Sequence, residues 1–405
     1  MSAGGGNKGP LAGIRVLEFG QVLAAPYAGM MLADQGAEVI KVEPPAGEPS
    51  RGYRPPDAGG HSPYFLSVNR NKLGFAVDLK SDGGRQAVLD LAAKSDVVIE
   101  NFRAGVMERL GLGYDTMNAP NRGNVFCTVT GYGRSGAFAD RAGYDPIAQA
   151  ESGLMALCGE RDGPPTRTGT SLVDMATGMF AAQAITAALY ARNASGEGQV
   201  VEVSLFGTAL NMLVNFAGQS LICGDDPRRF GSGSQAAQPS GVYRSKDGEF
   251  MLTIGSDAMY RRFCADVLGR PDLGTDPRFA TNADRLRNKD AMDAAFAPIF
   301  AGFENTDVIG RMRAAAIPCG EILGVRDALA SPMTEELGLI GMARHAELGE
   351  LKTLLPGYSL SGTPLGEPFA APLIGEHSRD VLGRIAGYDA ARIETLIAES
   401  AVVAA

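Results

Sequence analysis

One carboxylate in this 405-residue chain stands where it could do chemistry. Asp174 precedes the segment 175–191, in which nearly every residue is Ala, Met, Phe, Ile, Leu, Gly or Thr. A segment apolar on all sides predicts a buried helix. Asp174 would then lie in or near the first turn, where backbone N–H groups lack partners. Two interpretations follow: a helix N-cap, or an aspartate held away from water for chemistry. With an ordinary pKa of about 3.9, that carboxylate would be ionised at pH 7 and could act as a nucleophile without a general base.

The other residues that commonly do chemistry are few and dispersed. The chain has three histidines and five cysteines: His61, His345, His377, Cys127, Cys158, Cys223, Cys264 and Cys319. None of the histidines is near Asp174 in sequence, and no pair has the spacing of metal ligands or of a CxxC motif. GxSxG and HExxH motifs are absent. The sequence therefore predicts no metal and reduced thiols in a cytoplasmic protein.

Composition excludes several classes of partner. A net charge of −9 argues against a non-specific nucleic-acid binder. No run of 18 apolar residues occurs, and the N-terminal MSAGGGNKGP lacks an apolar signal core, so we expect neither membrane insertion nor export.

The elements that must position Asp174 alternate between strand and helix patterns. Strands are predicted at 14–19, 37–43, 75–79, 95–101, 124–130 and 200–205, and helices at 27–34, 83–94, 105–110 and 206–218. This alternation predicts the α/β class with a mostly parallel sheet. Ligands of such sheets bind at the carboxyl ends of the strands. The turn after the first strand lacks GxGxxG, so no dinucleotide site is predicted.

Breaker-rich stretches suggest the domain organisation. The Pro/Gly-rich segment 44–63 predicts a functional loop without regular structure. A Gly/Ser/Pro stretch within 224–241 predicts a boundary. We expect a large Rossmann-like domain over 10–222, a small α/β domain over 236–325 with a hairpin at 242–254 and helices within 257–268 and 290–316, and a segment 340–405 that returns to the large domain.

Five stretches together resemble one known family. They are VLEFGQVLAAPYAGMMLADQGAEVIKVE, NRNK…VDLK, ENFRAGVMERLGLGY, GYDPIAQAESGLM and SLVDMATGM, and they extend over nearly the whole chain. In order and spacing they resemble the family III CoA-transferases, the CaiB/BaiF family that includes formyl-CoA transferase. The resemblance implies a Rossmann-like domain plus a small domain, an interlocked homodimer, and coenzyme A bound as an acyl-CoA substrate beside a carboxylic acid.

The resemblance also implies site residues. The catalytic carboxylate falls on Asp174, and the coenzyme A contacts fall on Leu23, Ala24, Val77, Asp78, Leu79, Lys80, Asn101, Phe102, Arg103, Arg109, Ala142, Gly143, Tyr144 and Asp145. Two positions depart from the family pattern. Pro44 replaces a basic residue that some members carry, and the glycine-rich substrate loop is reduced to GSGSQAAQPSG, with Gln238 as its remaining polar residue. The second departure points away from oxalate as the acceptor.

The chemistry implied is transfer of CoA between carboxylic acids through an aspartyl mixed anhydride and an aspartyl-CoA thioester on Asp174. Arg51, Arg54, Arg70 and Arg167 are candidates to bind a second carboxylate, which favours a dicarboxylic donor such as succinyl-CoA. Two alternatives stay open. An acyl-CoA racemase of the same superfamily would need the histidine that Tyr144 replaces here. A non-catalytic CoA-binding protein would keep Asp174 only as a cap.

Overall fold

The structure is a computed structural model that describes residues 9–405. The expectation of no export signal concerns the N-terminus, of which residues 1–8 lie outside the described residues. The strands are β1 (Arg15–Glu18), β2 (Glu38–Glu43), β3 (Lys72–Val77), β4 (Val97–Glu100), β5 (Val125–Thr130), β6 (Val200–Ser204), β7 (Ser240–Arg244), β8 (Glu249–Thr253), β9 (Cys319–Glu321), β10 (Ile340–His345), β11 (Gly349–Leu354) and β12 (Val402–Val403).

The α-helices are α1 (Ala24–Asp34), α2 (Pro63–Val68), α3 (Asp82–Ala92), α4 (Val106–Arg109), α5 (Tyr114–Asn118), α6 (Asp145–Glu151), α7 (Leu154–Leu157), α8 (Leu172–Ser195), α9 (Leu205–Met212), α10 (Val214–Cys223), α11 (Asp257–Arg262), α12 (Pro271–Thr275), α13 (Asn282–Arg287), α14 (Lys289–Phe300), α15 (Asn305–Ala314), α16 (Val325–Leu329), α17 (Pro332–Glu336), α18 (Ser378–Asp380) and α19 (Ala390–Ala398). Pro49–Gly52 forms a 3₁₀ helix, and Phe263–Val267 and Val381–Ala386 form π-helical turns.

The chain divides into two compact units. The first comprises the residues up to Ser152, Gly169–Val214 and Pro332–Ala405, and the second comprises Gly153–Thr168 and Asn215–Ser331. The second unit thus takes in more of the chain than the predicted range 236–325.

The first unit is built on a seven-stranded sheet with the order β12-β3-β2-β1-β4-β5-β6. All neighbouring strands are parallel except β12, which runs antiparallel to β3. The predicted α/β class with a mostly parallel sheet is confirmed. The order of the strands reverses direction between β1 and β4, which is the switch point where sheets of this kind open a crevice for a ligand.

Both faces of this sheet are covered, as the apolar strand sequences require. Successive residues of β1 point to opposite faces, so Val16 and Leu17 enter two different cores. On the Val16 side the strands pack against α1 and α8. On the Leu17 side they pack against α3 and α19. Asp174 is carried by α8, so its place depends on how that helix lies on the sheet and on α1.

Small residues bring α1 and α8 into close contact. A Cβ at Gly178 of α8 would lie 2.7 Å from the carbonyl oxygen of Ala24 and 3.0 Å from the Tyr27 ring. Gly178 therefore lets the N-terminal turn of α8, which carries Asp174, approach the N-terminal turn of α1.

The second unit holds a three-stranded antiparallel sheet, β7-β8-β9. The predicted hairpin is present, with β7 and β8 joined across residues 245–248. Aromatic rings fill its core, among them Phe250, Phe263, Phe296 and Phe300. The helical pattern predicted within 290–316 corresponds to two helices, α14 and α15, with a turn at 301–304 between them.

Three further predictions need correction. The helix predicted over 206–218 is two helices, α9 and α10, with Leu213 between them. The strand predicted at 75–79 lies at Lys72–Val77, so residues 78–80 follow it as a turn. The loop 44–63 includes the 3₁₀ helix Pro49–Gly52 and an isolated bridge between Ala58 and His61.

Helix α8 is not buried on all sides as predicted. Its inner face packs on the sheet and α1, whereas Met179, Phe180 and Tyr190 are exposed. The composition predicted burial all round, but a helix lying on a sheet is covered only on the inner side. By length and composition α8 also suits a membrane span, a test that core helices pass equally.

We expect Gly178→Ala to destabilise the protein by about 1–3 kcal/mol, because the added methyl group would overlap the Ala24 carbonyl and force α1 and α8 apart. Urea unfolding followed by circular dichroism measures the change. Gly310→Ala is the matched control, since no atom lies within 4 Å of its added Cβ and α15 is helical there. That variant should be neutral or slightly more stable. Equal stability of the two variants would contradict the close packing at Gly178.

Candidate active site

A pocket of about 340 Å³ opens at the carboxyl ends of the central strands. It lies at the switch point, because the segments after β1 and β4 both line it. Its lining residues are Gln21, Val22, Leu23, Ala24, Asn101, Phe102, Arg103, Ala104, Val106, Val129, Thr130, Gly131, Ala139, Arg141, Ala142, Gly143, Tyr144, Asp174 and Leu205.

Asp174 is the third residue of α8, and the helix N-cap is Ser171. The N-cap interpretation of Asp174 is therefore wrong. The open N–H groups of this turn are satisfied from outside the helix by Asp145, whose Oδ2 accepts hydrogen bonds from the N–H of Val173 at 2.7 Å and of Asp174 at 3.1 Å. Asp145 is buried, and its Oδ1 accepts from the Gln149 amide at 2.6 Å.

The Asp174 side chain therefore does not cap the helix. Within residues 9–405 no hydrogen bond or ion pair to its carboxylate is present. Burial first, and the negative charge of Asp145 second, raise the pKa of Asp174 to about 7. The assumption that this aspartate keeps an ordinary pKa is thus wrong, because its environment disfavours the ionised form. At neutral pH it exists in both protonation states.

The part of the pocket wall that follows β1 is held by the side-chain amide of Asn101. The Asn101 Oδ1 accepts from the Gln21 N–H and its Nδ2 donates to the Gln21 carbonyl, both at 2.9 Å. The resemblance places Asn101 among the coenzyme A contacts. The structure shows that its side chain holds the loop after β1, while the residue itself lines the pocket.

Gly131 and Gly143 allow two loops that line the pocket to come into contact. A Cβ at Gly131, just after β5, would lie 2.7 Å from the Cα of Gly143. The backbone near Tyr144 can therefore approach the end of β5, and Tyr144 itself is exposed at the N-cap of α6.

The predicted site residues fall into two groups. One group lines the pocket together with Asp174: Leu23, Ala24, Asn101, Phe102, Arg103, Ala142, Gly143 and Tyr144. The other group does not line it: Val77, Asp78, Leu79, Lys80, Arg109, Asp145 and Gln238. Val77 ends β3 and residues 78–80 follow it, on the same rim of the sheet and two strands away from β1. Asp145 does not line the pocket, but it accepts a hydrogen bond from the backbone N–H of Asp174.

Gln238 is placed differently from the expectation of a substrate-facing residue. It belongs to the second unit and is fully buried. Its Nε2 donates to the Ser234 carbonyl at 2.8 Å, and its Oε1 accepts from the Ser240 N–H at 3.1 Å. In this conformation the side chain holds its own loop.

The arginines proposed to bind a second carboxylate are partly occupied. Arg51 makes two hydrogen bonds of 2.7 Å to Glu43, and Arg70 pairs with buried Asp34 at 2.5 Å. Neither is available to a substrate. The cations that line the pocket are Arg103 and Arg141, and both are exposed.

Several lining residues escaped the sequence analysis. Arg141 stacks over Tyr132 at 4.5 Å and pairs with Glu151 at 2.5 Å, and its position in a loop gave no pattern to find it by. Tyr64 of α2 also lies near the site, since burial first and then the charge of Asp174 raise the pKa of its hydroxyl. The available signal was that Tyr64 directly follows the Pro/Gly-rich segment 44–63.

The histidines are elsewhere. His61 contacts Glu347 at 2.7 Å and His345, and the His377 Nδ1 accepts from the Gly74 N–H. In residues 9–405 no group of three or more His, Cys, Asp or Glu side chains is arranged to hold a metal ion. Absence of a metal from the reaction stays a prediction.

Fold and pocket together define a class of protein: a doubly wound α/β protein with a desolvated aspartate at its ligand crevice. Comparison with known proteins specifies it further. The sequence profile of CoA-transferase family III matches residues 11–378. The succinyl-CoA:glutarate CoA-transferase of Mus musculus is 35% identical over 394 residues, 97% of this chain and 90% of that protein.

Two other relatives agree. The acetyl-CoA:oxalate CoA-transferase of Acetobacter aceti is 36% identical over 371 residues, 90% of this chain and 92% of that protein. A crystal structure of a CaiB/BaiF family protein from Brucella suis superposes with a TM-score of 0.84 at 32% identity, covering 93% of this chain and 100% of that one. The chain belongs to CoA-transferase family III, and it is a transferase enzyme. The Mus musculus and Acetobacter aceti relatives are named for CoA thioester substrates.

We expect Asp174→Asn to stabilise the protein by about 1–3 kcal/mol at pH 8, somewhat less than the pKa shift alone implies, because the carboxylate keeps some contact with solvent. The folded-state pKa of about 7 lies above the unfolded value, so ionisation costs stability as pH rises from about 4 to 7. The asparagine carries no charge and avoids that cost.

Thermal unfolding at pH 5 and pH 8 measures this difference. The advantage of Asp174→Asn should be large at pH 8 and small at pH 5. The exposed carboxylate Asp82 is the control, and Asp82→Asn should show no such pH dependence. A wild-type protein as stable as Asp174→Asn at pH 8 would contradict the desolvation of Asp174.

Proposed function

We propose that this enzyme moves CoA from an acyl-CoA donor to a free carboxylic acid, with Asp174 as the nucleophile. The observation that carries the proposal is the state of that side chain: a carboxylate without a hydrogen-bonding partner among residues 9–405, at the end of a pocket lined by the strand-end loops. A carboxylate with a pKa near 7 is a stronger nucleophile than an ordinary aspartate, because it is more basic.

The first half of the reaction loads the enzyme with CoA. An Asp174 oxygen attacks the thioester carbonyl, the C–S bond breaks, and the CoA thiolate leaves an aspartyl mixed anhydride. The thiolate then attacks the Asp174 carbonyl carbon. The C–O bond to the donor acyl group breaks, which releases the donor as a carboxylate and leaves an aspartyl-CoA thioester.

The second half reverses these steps with the acceptor. The acceptor carboxylate attacks the aspartyl thioester, the thiolate leaves, and a new mixed anhydride forms. The thiolate attacks the acceptor carbonyl carbon, and Asp174 leaves as the carboxylate with which it began. Every intermediate hydrolyses readily, so the burial of Asp174 that raises its pKa also protects the reaction from water.

The acids exchanged are part of the proposal. We favour succinyl-CoA as the donor, because one relative of this chain is named for succinyl-CoA and glutarate. Another is named for oxalate, so a dicarboxylic acceptor is the class to test first. Of the two cations that line the pocket, Arg103 has no ion-pair partner among residues 9–405, so it can pair with a carboxylate or with CoA phosphates. Arg141 would first have to give up its ion pair with Glu151.

We expect hydroxylamine, added during turnover with succinyl-CoA, to convert Asp174 into a hydroxamate. Peptide mass spectrometry locates the modification. Asp174→Asn should show no label, and its transfer rate should fall roughly 10³-fold or more, because the nucleophile is lost. The control Asp82→Asn should transfer normally and carry the label at Asp174.

The same incubation separates the alternatives. A screen of glutarate, oxalate and malonate for new CoA thioesters identifies the acceptor. Exchange of the α-hydrogen for deuterium without transfer would favour the racemase, and binding of CoA without either reaction would favour the non-catalytic protein. Full transfer by Asp174→Asn would remove the mechanism.

We expect kcat/KM for the acyl-CoA to rise about tenfold per pH unit up to about pH 7 and then level off, because it follows the ionised Asp174 of the free enzyme. In Asp145→Asn the rising limb of this pH profile should move to lower pH, since the charge of Asp145 is one cause of the raised pKa of Asp174. Initial rates between pH 5 and 9 measure both limbs. A wild-type limb near pH 4 would contradict the proposal that Asp174 reacts from a desolvated state.

A further inference from the structure

Gln21 and Val22 line the pocket, and side chains from other segments bind each peptide group of the loop Gly20–Val22. Lys41 of β2, which is fully buried, donates from Nζ to the Gly20 carbonyl at 2.9 Å. Asn101, after β4, makes the two hydrogen bonds to the Gln21 backbone described above. The segment therefore takes its conformation from its neighbours and not from a regular element of its own.

Val22 adopts a backbone conformation that its side chain disfavours. Its φ is +65°, in the left-handed region. The other non-glycine residues with positive φ in the described part of the chain are Asn71, Ala316 and Ser400, so Val22 is the one β-branched residue among them. Such a residue persists in this region only when its surroundings enforce it, and enforced strain is concentrated at functional sites. Val22 lines the pocket with Asp174.

The enforcing contact comes from Glu48. Its Oε2 accepts from the Val22 N–H at 3.1 Å and from the Ser50 N–H at 3.0 Å, and its Oε1 accepts from the Ser50 hydroxyl. Glu48 is only 3% exposed. Among residues 9–405 no lysine or arginine makes an ion pair with it within 4 Å, so these N–H and hydroxyl donors are the hydrogen-bond partners of the buried carboxyl group.

Glu48 is itself anchored to the sheet. Its N–H donates to Glu43 Oε1 at 3.1 Å, and Glu43, at the end of β2, is paired with Arg51. Glu48 thus connects the long excursion after β2 to the loop after β1. Capping of Pro49–Gly52 accounts for the contacts to Ser50, but it does not account for the contact to Val22.

We propose that Glu48 is a positioning residue for CoA transfer: it holds Val22 in the left-handed conformation that sets the start of α1 against Asp174. This inference rests on the proposed function. Leu23 and Ala24 follow directly and line the pocket, and the N-cap Leu23 has no side-chain cap. When the Val22 N–H loses its acceptor, the valine relaxes to negative φ and the wall that faces the thioester turns away.

The test is a double-mutant cycle with a glycine that removes the strain. Glu48→Ala is measured in the wild-type and Val22→Gly backgrounds, because glycine adopts positive φ without a Cβ penalty. The readout is the single-turnover rate constant for acyl transfer to the enzyme, which does not depend on the fraction of active protein. We expect Glu48→Ala to lower it about 10–100-fold with Val22 present and less than about threefold with glycine there.

Two variants keep the cycle interpretable. Ser50→Ala removes another donor to the same carboxylate and leaves the Val22 contact, so its rate constant should stay within about threefold of wild type. Glu48→Gln keeps the shape and one acceptor oxygen. It is run in both backgrounds and should show the same coupling with a smaller loss, which preserves the test if Glu48→Ala does not fold.

Equal losses in both backgrounds, or no loss with Val22 present, would overturn the proposal. Hydrogen exchange of the peptide that contains residues 20–22 gives a readout independent of catalysis. Exchange there should accelerate in Glu48→Ala and stay slow in Ser50→Ala. If the wild type transfers no CoA but this exchange pattern holds, the proposed function fails and the role of Glu48 in the loop stands. If the wild type transfers CoA but this exchange pattern is absent, the proposed function stands and the role of Glu48 in the loop fails.

Discussion

The candidate site depends on the different roles of two aspartates: Asp145 caps α8, and Asp174 faces the pocket. The first turn of α8 offers N–H groups that an anion will occupy, and Asp145 occupies two of them. The side chain of Asp174, which belongs to the same first turn, is thereby left with its charge unmatched and largely away from water. The two carboxylates have opposite environments, so one is a structural acceptor and the other is free to react. Had Asp174 capped its own helix, hydrogen bonds would have stabilised its ionised form and made it a poorer nucleophile.

The backbone packing around the pocket makes this arrangement possible. Gly178 allows α8 to lie against the start of α1, and Gly131 and Gly143 allow two strand-end loops to meet. These contacts gather the loops after β1, β4 and β5 around one carboxylate at the switch point of the sheet. A larger side chain at any of the three positions would have to displace main chain, which neighbouring layers of the sheet resist.

Reactivity and stability oppose each other here. A raised pKa means that the fold holds Asp174 in a state that water would not favour, and Val22 is held in a conformation that valine disfavours. Both are tolerated because the surrounding sheet, with its two apolar cores, is extensive enough to enforce them. Functional sites commonly concentrate backbone strain and desolvated groups inside a well-packed scaffold. The reactivity gained in this way costs some stability of the fold.

The sequence by itself determined the α/β class, because apolar strands and helices alternate along it, and its motifs pointed to the family and to Asp174. It also indicated most of the strand-end loops, since parallel strands end on one rim. It did not determine that Asp145, 29 residues earlier, would cap α8, that Asn101 would hold the Gln21 backbone, or that Gln238 would be buried. Those outcomes, and the pKa of Asp174, were decided by the tertiary structure, because hydrogen-bond partners and desolvation depend on which distant segments the packing brings together.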